Sequence, residues 1–332
     1  MLETSVITLG EAVRVGLLGA GKMGSNHARI IAASGHSTLH RVVDSNADSA
    51  RQLAYNFSGR WSTNVDDLLS CDAVVVASPT EHHLAAALPL LAGGVALLVE
   101  KPLAGDQESV DALVAGARQS RVPMMCGFVE RFNAAVLTGL GALTAPPSSF
   151  HSVRHSPAAS RITTSVVTDL LIHDIDLITQ AIPDRFPVTV SAVVGSPEGA
   201  LTGEQVDAVV AWANGPVANL SASRLGQRKV RTLSITSPNE LVEVDLLRQN
   251  VTVYRHVTHD LVDGAYRSDT IVEIPFVRHA AEPLALQFDH FAALVKGDVD
   301  RVAELASLVA SHRVAFEVEA VGVRVALGAL AS

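Results

Sequence analysis

The sequence predicts a doubly wound, parallel α/β domain over residues 1–127, followed by an α+β domain with an open, mainly antiparallel sheet over 128–332. Three observations predict it. Short β-branched runs alternate with helical stretches up to about residue 125. A glycine loop, Gly19-Ala20-Gly21-Lys22-Met23-Gly24, sits between the first run and the first helix. After Arg131 the pattern changes to longer strands that repeat apolar residues at every second position. A chain of 332 residues is long enough for two such cores.

In order along the first domain, the runs predict strands at 13–18, 39–43, 73–77, 97–99 and 123–127. Helices are predicted at 23–33, 47–57, 82–92 and 107–119. Val74-Val75-Val76-Ala77 lacks alternation, as a strand covered on both faces should. In the second domain, Val188, Val190, Ala192 and Val194 alternate, as do Val206, Ala208, Val210 and Trp212. Leu233 with Ile235, Val242 with Val244, and Val251 with Val253 continue the pattern. Helices are expected at 168–181, about 282–296 and 300–327.

Composition narrows the function classes. A net charge of −9 argues against a nucleic-acid or membrane-surface binder. The basic group from Arg224 to Lys229 reads as a solvated face. Cys71 and Cys126 are far apart and form no CxxC pair, which favours a reducing compartment over a disulfide framework or structural zinc. No leader and no membrane-length apolar run is evident, so the expectation is a soluble, cytoplasmic protein.

Gly19, Gly21 and Gly24 fit the GxGxxG fingerprint of a dinucleotide site. The first makes the turn, the second admits the pyrophosphate, and the third packs helix on strand. Asp44 ends the next strand and suits the ribose hydroxyls of NAD, repelling a 2′-phosphate. NAD is therefore favoured over NADP, with Arg41 and Arg51 the residues that could shift the balance. The turn Ser78-Pro79-Thr80 reads either as ordinary helix-start chemistry or as a border of the nicotinamide half, touched by Pro79 and Thr80. Glu100-Lys101-Pro102 stops a buried strand and puts a lysine at the carboxyl edge of the sheet, where ligands bind in open α/β folds.

In the second domain, Asp169, His173 and Asp176 stand at i, i+4 and i+7, on one face of a helix. Leu171, Ile175 and Ile178 mark another face. An exposed Asp–His pair is one reading, and no metal site is expected. The other reading is acid–base work at an alcohol carbon: His173 as base, Lys101 stabilising an alkoxide, and Asp169 orienting the two.

The Gly19–Gly24 loop, Pro79-Thr80 with His83, Glu100-Lys101-Pro102 and the Asp169…His173 helix together resemble the Gfo/Idh/MocA oxidoreductases, over nearly the whole chain. The resemblance implies a Rossmann domain and a second domain whose open sheet packs in homodimers or homotetramers. It implies that Lys101, Asp169 and His173 are the catalytic trio, converging on a substrate hydroxyl. Gly19, Gly21, Lys22, Met23, Gly24, Asp44, Ser78, Pro79, Thr80, His83, Glu100 and Lys101 would surround the cofactor. A cis bond is expected at Lys101-Pro102.

Residues 127–133 look like the segment of members acting on sugar nucleotides such as UDP-N-acetylglucosamine. Arg131, Asn133, Arg154 and Arg161 are then the candidate substrate ligands, although Ser156 replaces a glycine of the matching Arg-x-Gly-Pro stretch. Ordinary ion pairs are the other reading of those arginines. The implied substrate is a sugar, cyclitol or sugar nucleotide. An inositol or free-sugar dehydrogenase, a non-catalytic NAD-binding regulator and an NAD-dependent glycosidase are the alternatives.

Overall fold

The structure, a computed structural model, describes residues 12–158, 164–182, 186–197, 202–213, 215–260 and 266–327. Contacts divide the chain into two units. Residues up to Val129 group with Leu284–His312, and Glu130–Pro283 group with residues from Arg313 onward. The sequence predicts a second domain running unbroken from 128 to 332; in the structure Leu284–His312 groups with the first unit.

In the first unit, β1 (Val13–Leu18), β2 (Ser37–Val43), β3 (Arg60–Ser62), β4 (Ala73–Val76), β5 (Ala96–Val99) and β6 (Met124–Cys126) form one sheet in the order β3-β2-β1-β4-β5-β6. Every pairing is parallel. β4 and β5 are buried at all four positions, which is why their sequences show no alternation. The connecting helices are α1 (Lys22–Ala33), α2 (Ala47–Asn56), α3 (His83–Ala92) and α4 (Gln107–Ser120). The order reverses between β1 and β4, so the turns leaving those two strands flank the crevice where this architecture binds ligands.

The second unit opens with α5 (Ala134–Gly141) and then β7 (Ser149–His155). A π-helical turn, Val167–Leu171, leads into α6 (Ile172–Ala181). β8 (Thr189–Pro197), β9 (Gln205–Ala211), β10 (Val217–Ser223), β11 (Val230–Ser237), β12 (Glu240–Asp245), β13 (Asn250–Asp260) and β14 (Tyr266–Glu273) follow. α7 (Pro283–Lys296) and the first part of α8 (Arg301–Val321) group with the first unit, and the rest of α8 with β15 (Val323–Leu327) returns to the second. Nine strands pair in the order β14-β13-β12-β11-β7-β10-β9-β8-β15, antiparallel except at β7–β10 and β8–β15.

The predicted alternation holds in β9, β11, β12 and β13, whose named apolar residues are all buried. It fails just ahead of β8, where Val188 is exposed. The predicted last helix, 300–327, is too long: it stops at Val321, and Val323–Leu327 pairs parallel with β8. The Val- and Ala-rich tail suits either state, and the free edge of β8 decides it. Among the described residues no helix is long and apolar enough to cross a membrane.

Candidate active site

The first unit supplies a cradle at the carboxyl edge of its sheet. Gly19 has φ +101° and lies so close to the β4 turn that a Cβ would stand 2.6 Å from the Ala77 carbonyl oxygen. A Cβ on Gly24 would stand 1.9 Å from the Gly19 oxygen, so both positions demand glycine. Nothing lies within 4 Å of a Cβ placed on Gly21. Asn46, Asp106 and Asn133 cap α2, α4 and α5 with their side chains, but α1 begins at Gly21 with no side-chain cap and no acid in its first turn. Its first-turn amides therefore have no side-chain acceptor, an arrangement suited to an anion.

Asp44 Oδ2 accepts from Ala20 N at 2.7 Å and Oδ1 accepts from Asn46 N at 2.8 Å, so the loop itself orients the carboxylate. At the β4 turn, the Ser78 hydroxyl is buried and has no hydrogen-bond partner among the described residues. Pro79 and Thr80 complete that turn. These features fit the diphosphate and ribose of a dinucleotide.

The lysine turn follows β5. Glu100 N donates to Val76 O at 2.9 Å, and its Oε1 lies 2.7 Å from His27 Nε2. Lys101–Pro102 is cis. The buried His83 ring stands between two turns, with Nδ1 3.1 Å from Pro102 O and Nε2 2.9 Å from Ser78 O. One residue further on, Leu103 N donates to His312 Nε2 at 2.9 Å. Neither His27 nor His312 carried a sequence signal. Their partners lie 73 and 209 residues away.

The second unit holds the other candidates. Asp169 lies in the π turn, a geometry common at functional sites, and its N–H donates to Ser165 O at 2.9 Å. Its carboxylate stands 3.3 Å from Arg224 Nη1. Arg224 is 2% exposed and also grips Glu204 through Nε and Nη2, at 2.8 and 3.0 Å. The reading of Arg224–Lys229 as a solvated face is thus corrected at its first member, which β10 delivers into the interior beside Glu204. Replacing Arg224 with Met should leave two carboxylates without their cation. The expected result is a destabilisation of about 3 kcal/mol, read by chemical denaturation.

Asp176, predicted on the Asp169 face, is instead buried against Arg131, at 2.7 and 2.6 Å in a bidentate pair. Asp174 receives Arg154 in the same way, at 2.7 and 3.0 Å. Arg154 Nη1 and Arg231 Nη1 share Glu130 Oε1, at 3.0 and 3.2 Å. Asn133 donates to Glu130 and to Leu246 O and caps α5. The candidate substrate ligands Arg131, Asn133 and Arg154 are therefore engaged within the unit. Arg161 lies outside the described residues.

Burial alone would raise the pKa of Glu130, but Arg154, Asn133 and Arg231 outweigh it and hold the carboxyl below its ordinary value. Burial likewise works against the charge on Arg154, yet Asp174 and Glu130 raise its pKa overall. Arg231 is lowered, by burial and by the Arg154 charge beside it. Among the described residues no group of three or more His, Cys, Asp or Glu could hold a metal ion.

Residues 13–128 match the family model described as an oxidoreductase family with an NAD-binding Rossmann fold. The chain is 33% identical over 327 residues to UDP-N-acetylglucosamine 3-dehydrogenase of Acidithiobacillus ferrooxidans, covering 96% of this chain and 95% of that one. A solved structure of that enzyme superposes with a TM-score of 0.79 at 29% identity, covering 93% of this chain and 98% of the other. Inositol 2-dehydrogenase of Rhizobium meliloti is 32% identical over 123 residues, 36% of this chain and 37% of the relative. The glycine loop, the aspartate after β2 and the lysine turn after β5 lie within the stretch that the family model matches, and the full-length relative extends the match through the π turn and α6: the chain belongs to the Gfo/Idh/MocA oxidoreductase family.

Proposed function

We propose that this protein is an NAD-dependent dehydrogenase that oxidises a secondary hydroxyl of a sugar nucleotide, or reduces the corresponding ketone. The carrying observation is identity along the full length with an enzyme named for that reaction. The open space at Gly21, the uncapped α1 and the loop-held Asp44 support the cofactor assignment. Gly19, Gly21, Lys22, Met23 and Gly24 would hold the diphosphate and Asp44 the adenosine ribose. Ser78, Pro79, Thr80, Glu100 and Lys101 would border the nicotinamide, with His83 keeping two of those turns together. When bound, NAD supplies the hydride acceptor.

His173 takes the proton of the substrate hydroxyl, and the Lys101 ammonium stabilises the negative charge that develops on that oxygen. Asp169, fixed by Arg224, balances the two cations. Arg131, Asn133 and Arg154 shape the substrate side through Asp176, Glu130 and Asp174.

Incubation with NAD and either UDP-N-acetylglucosamine or myo-inositol, followed at the NADH absorbance, tests the reading. Turnover of the first is expected. Turnover of inositol alone would favour the second reading, which the inositol dehydrogenase relatives support. Calorimetric titration should find NADH bound more tightly than NADPH. Replacing Asp44 with Ala should narrow that gap, because the carboxylate that repels a 2′-phosphate is gone.

The outward faces of β8, β9, β10 and β15 expose Val193, Val209, Val217, Val323 and Val325, and we assign self-association into a homodimer or homotetramer to this surface. Light scattering should find more than one copy, and Val209→Lys should shift the mass toward the monomer.

A further inference from the structure

Resting on the assignment of Lys101 above, we propose that His312 is a positioning residue for that lysine. Its ring completes, from the far end of the sequence, the turn on which Lys101 sits.

Leu103 is fully buried just past the cis peptide, beyond Val99, where the β4–β5 ladder ends. A buried amide without an acceptor costs about 1–3 kcal/mol, so the turn is stable only if something accepts that proton. The acceptor is His312 Nε2, at 2.9 Å. The other ring nitrogen, Nδ1, lies 2.7 Å from Leu308 O one helical turn earlier. A carbonyl can only accept, so Nδ1 carries the proton and the lone pair of Nε2 is turned to Leu103. The Phe128 ring, with its centroid 5.4 Å away, packs against the imidazole, which is fully buried. The two hydrogen bonds therefore fix the ring's tautomer and its orientation toward Leu103.

The anchors are closely spaced. Glu100 N is tied to Val76 O, Pro102 O to His83 and Leu103 N to His312. Lys101 lies between the first and second anchors. Releasing Leu103 frees one end of a four-residue turn, and displacement by an ångström at a reacting group can cost about 100-fold in rate. His312 touches no reacting atom in this assignment and acts through the backbone of the turn.

The test compares His312→Gln with His312→Asn. A glutamine carbonyl reaches the place of Nε2 and can accept from Leu103, whereas an asparagine reaches only the place of Nδ1. With UDP-N-acetylglucosamine as substrate, His312→Asn should lose roughly 10- to 100-fold in kcat with little change in the KM for NAD. His312→Gln should recover to within about threefold of wild type. A merely structural role predicts instead that both variants follow their thermal stability.

Acetylation of Lys101 in the NADH-bound enzyme, followed by mass spectrometry, gives an arm that needs no substrate. Its rate should change in the Asn variant and not in the Gln variant. If wild type oxidises neither UDP-N-acetylglucosamine nor myo-inositol, the substrate reading falls, and the acetylation rates alone decide the role of His312. Wild-type kcat and acetylation in a folded His312→Asn would overturn the proposal, as would equal losses in both variants. Should His312→Asn fail to fold, hydrogen exchange in the wild type decides: a Leu103 amide exchanging as fast as the exposed loops removes the bond and the proposal with it.

Discussion

Replacing His173 or Lys101 with alanine is expected to slow hydride transfer by roughly 10²- to 10⁴-fold while leaving NAD affinity within a few-fold of wild type. The size follows from the chemistry. Without a base the hydroxyl proton must leave to water, and without the ammonium the oxygen develops charge in a site that no longer balances it. Affinity survives because the groups suited to the adenosine and diphosphate, namely Asp44, the α1 amides and the glycine loop, are held by each other and by neither of these residues. Single-turnover rates and NADH fluorescence titrations on both variants separate the two effects. A variant turning over near the wild-type rate would remove that residue from the chemistry.

Removing the Glu130 carboxylate should be the most damaging single change to the second unit. Arg154 and Arg231 are directly opposed on β7 and β11, and like charges so placed repel. Glu130 Oε1 is the anion that they share. Glu130→Ala would leave two buried or half-buried guanidinium groups facing each other, with an expected loss of about 3–5 kcal/mol.

The same carboxylate gives a pH signature. Its folded pKa lies below the ordinary 4.5, so its stabilisation is complete above that value and is lost as the pH falls below 4.5 toward the folded pKa. Glu130→Gln should therefore be less stable at pH 7 and show a shallower loss of stability below pH 4.5 than wild type. Urea midpoints measured from pH 7 to pH 3 test both statements. Parallel pH curves for the two proteins would refute the second.

Much of the first unit is legible because its signals are local. The apolar runs of β4 and β5, the glycine loop and the strand-ending lysine all declare themselves within a few residues. Three-residue β3 escapes notice because it is short and mostly exposed. In the second unit, the alternation of β9 and β11 through β13 is equally plain, whereas β15 has the composition of the helix before it and becomes a strand only by meeting β8.

The arginines mark the limit of this kind of reading. A guanidinium fork fits a substrate phosphate and an internal carboxylate equally well, and only the fold brings Asp174 to Arg154, Asp176 to Arg131, and Glu204 with Asp169 to Arg224. The heptad-like spacing of Asp169, His173 and Asp176 presumes one regular helix. The π turn interrupts it, and the two aspartates meet different arginines.

The bond from Leu103 to His312 spans 209 residues. On a ribosome adding roughly 5–20 residues per second, the glycine loop and all six strands of the first sheet emerge well before the imidazole that their lysine turn requires, a delay of about 10–40 s. During that interval the Leu103 amide lacks its His312 acceptor, and the nascent sheet lacks α7 and the first part of α8. Synthesis halted anywhere between the first sheet and His312 would therefore leave the six-stranded sheet with its lysine turn unfinished, so that the turn is completed by a segment made long after the sheet it serves.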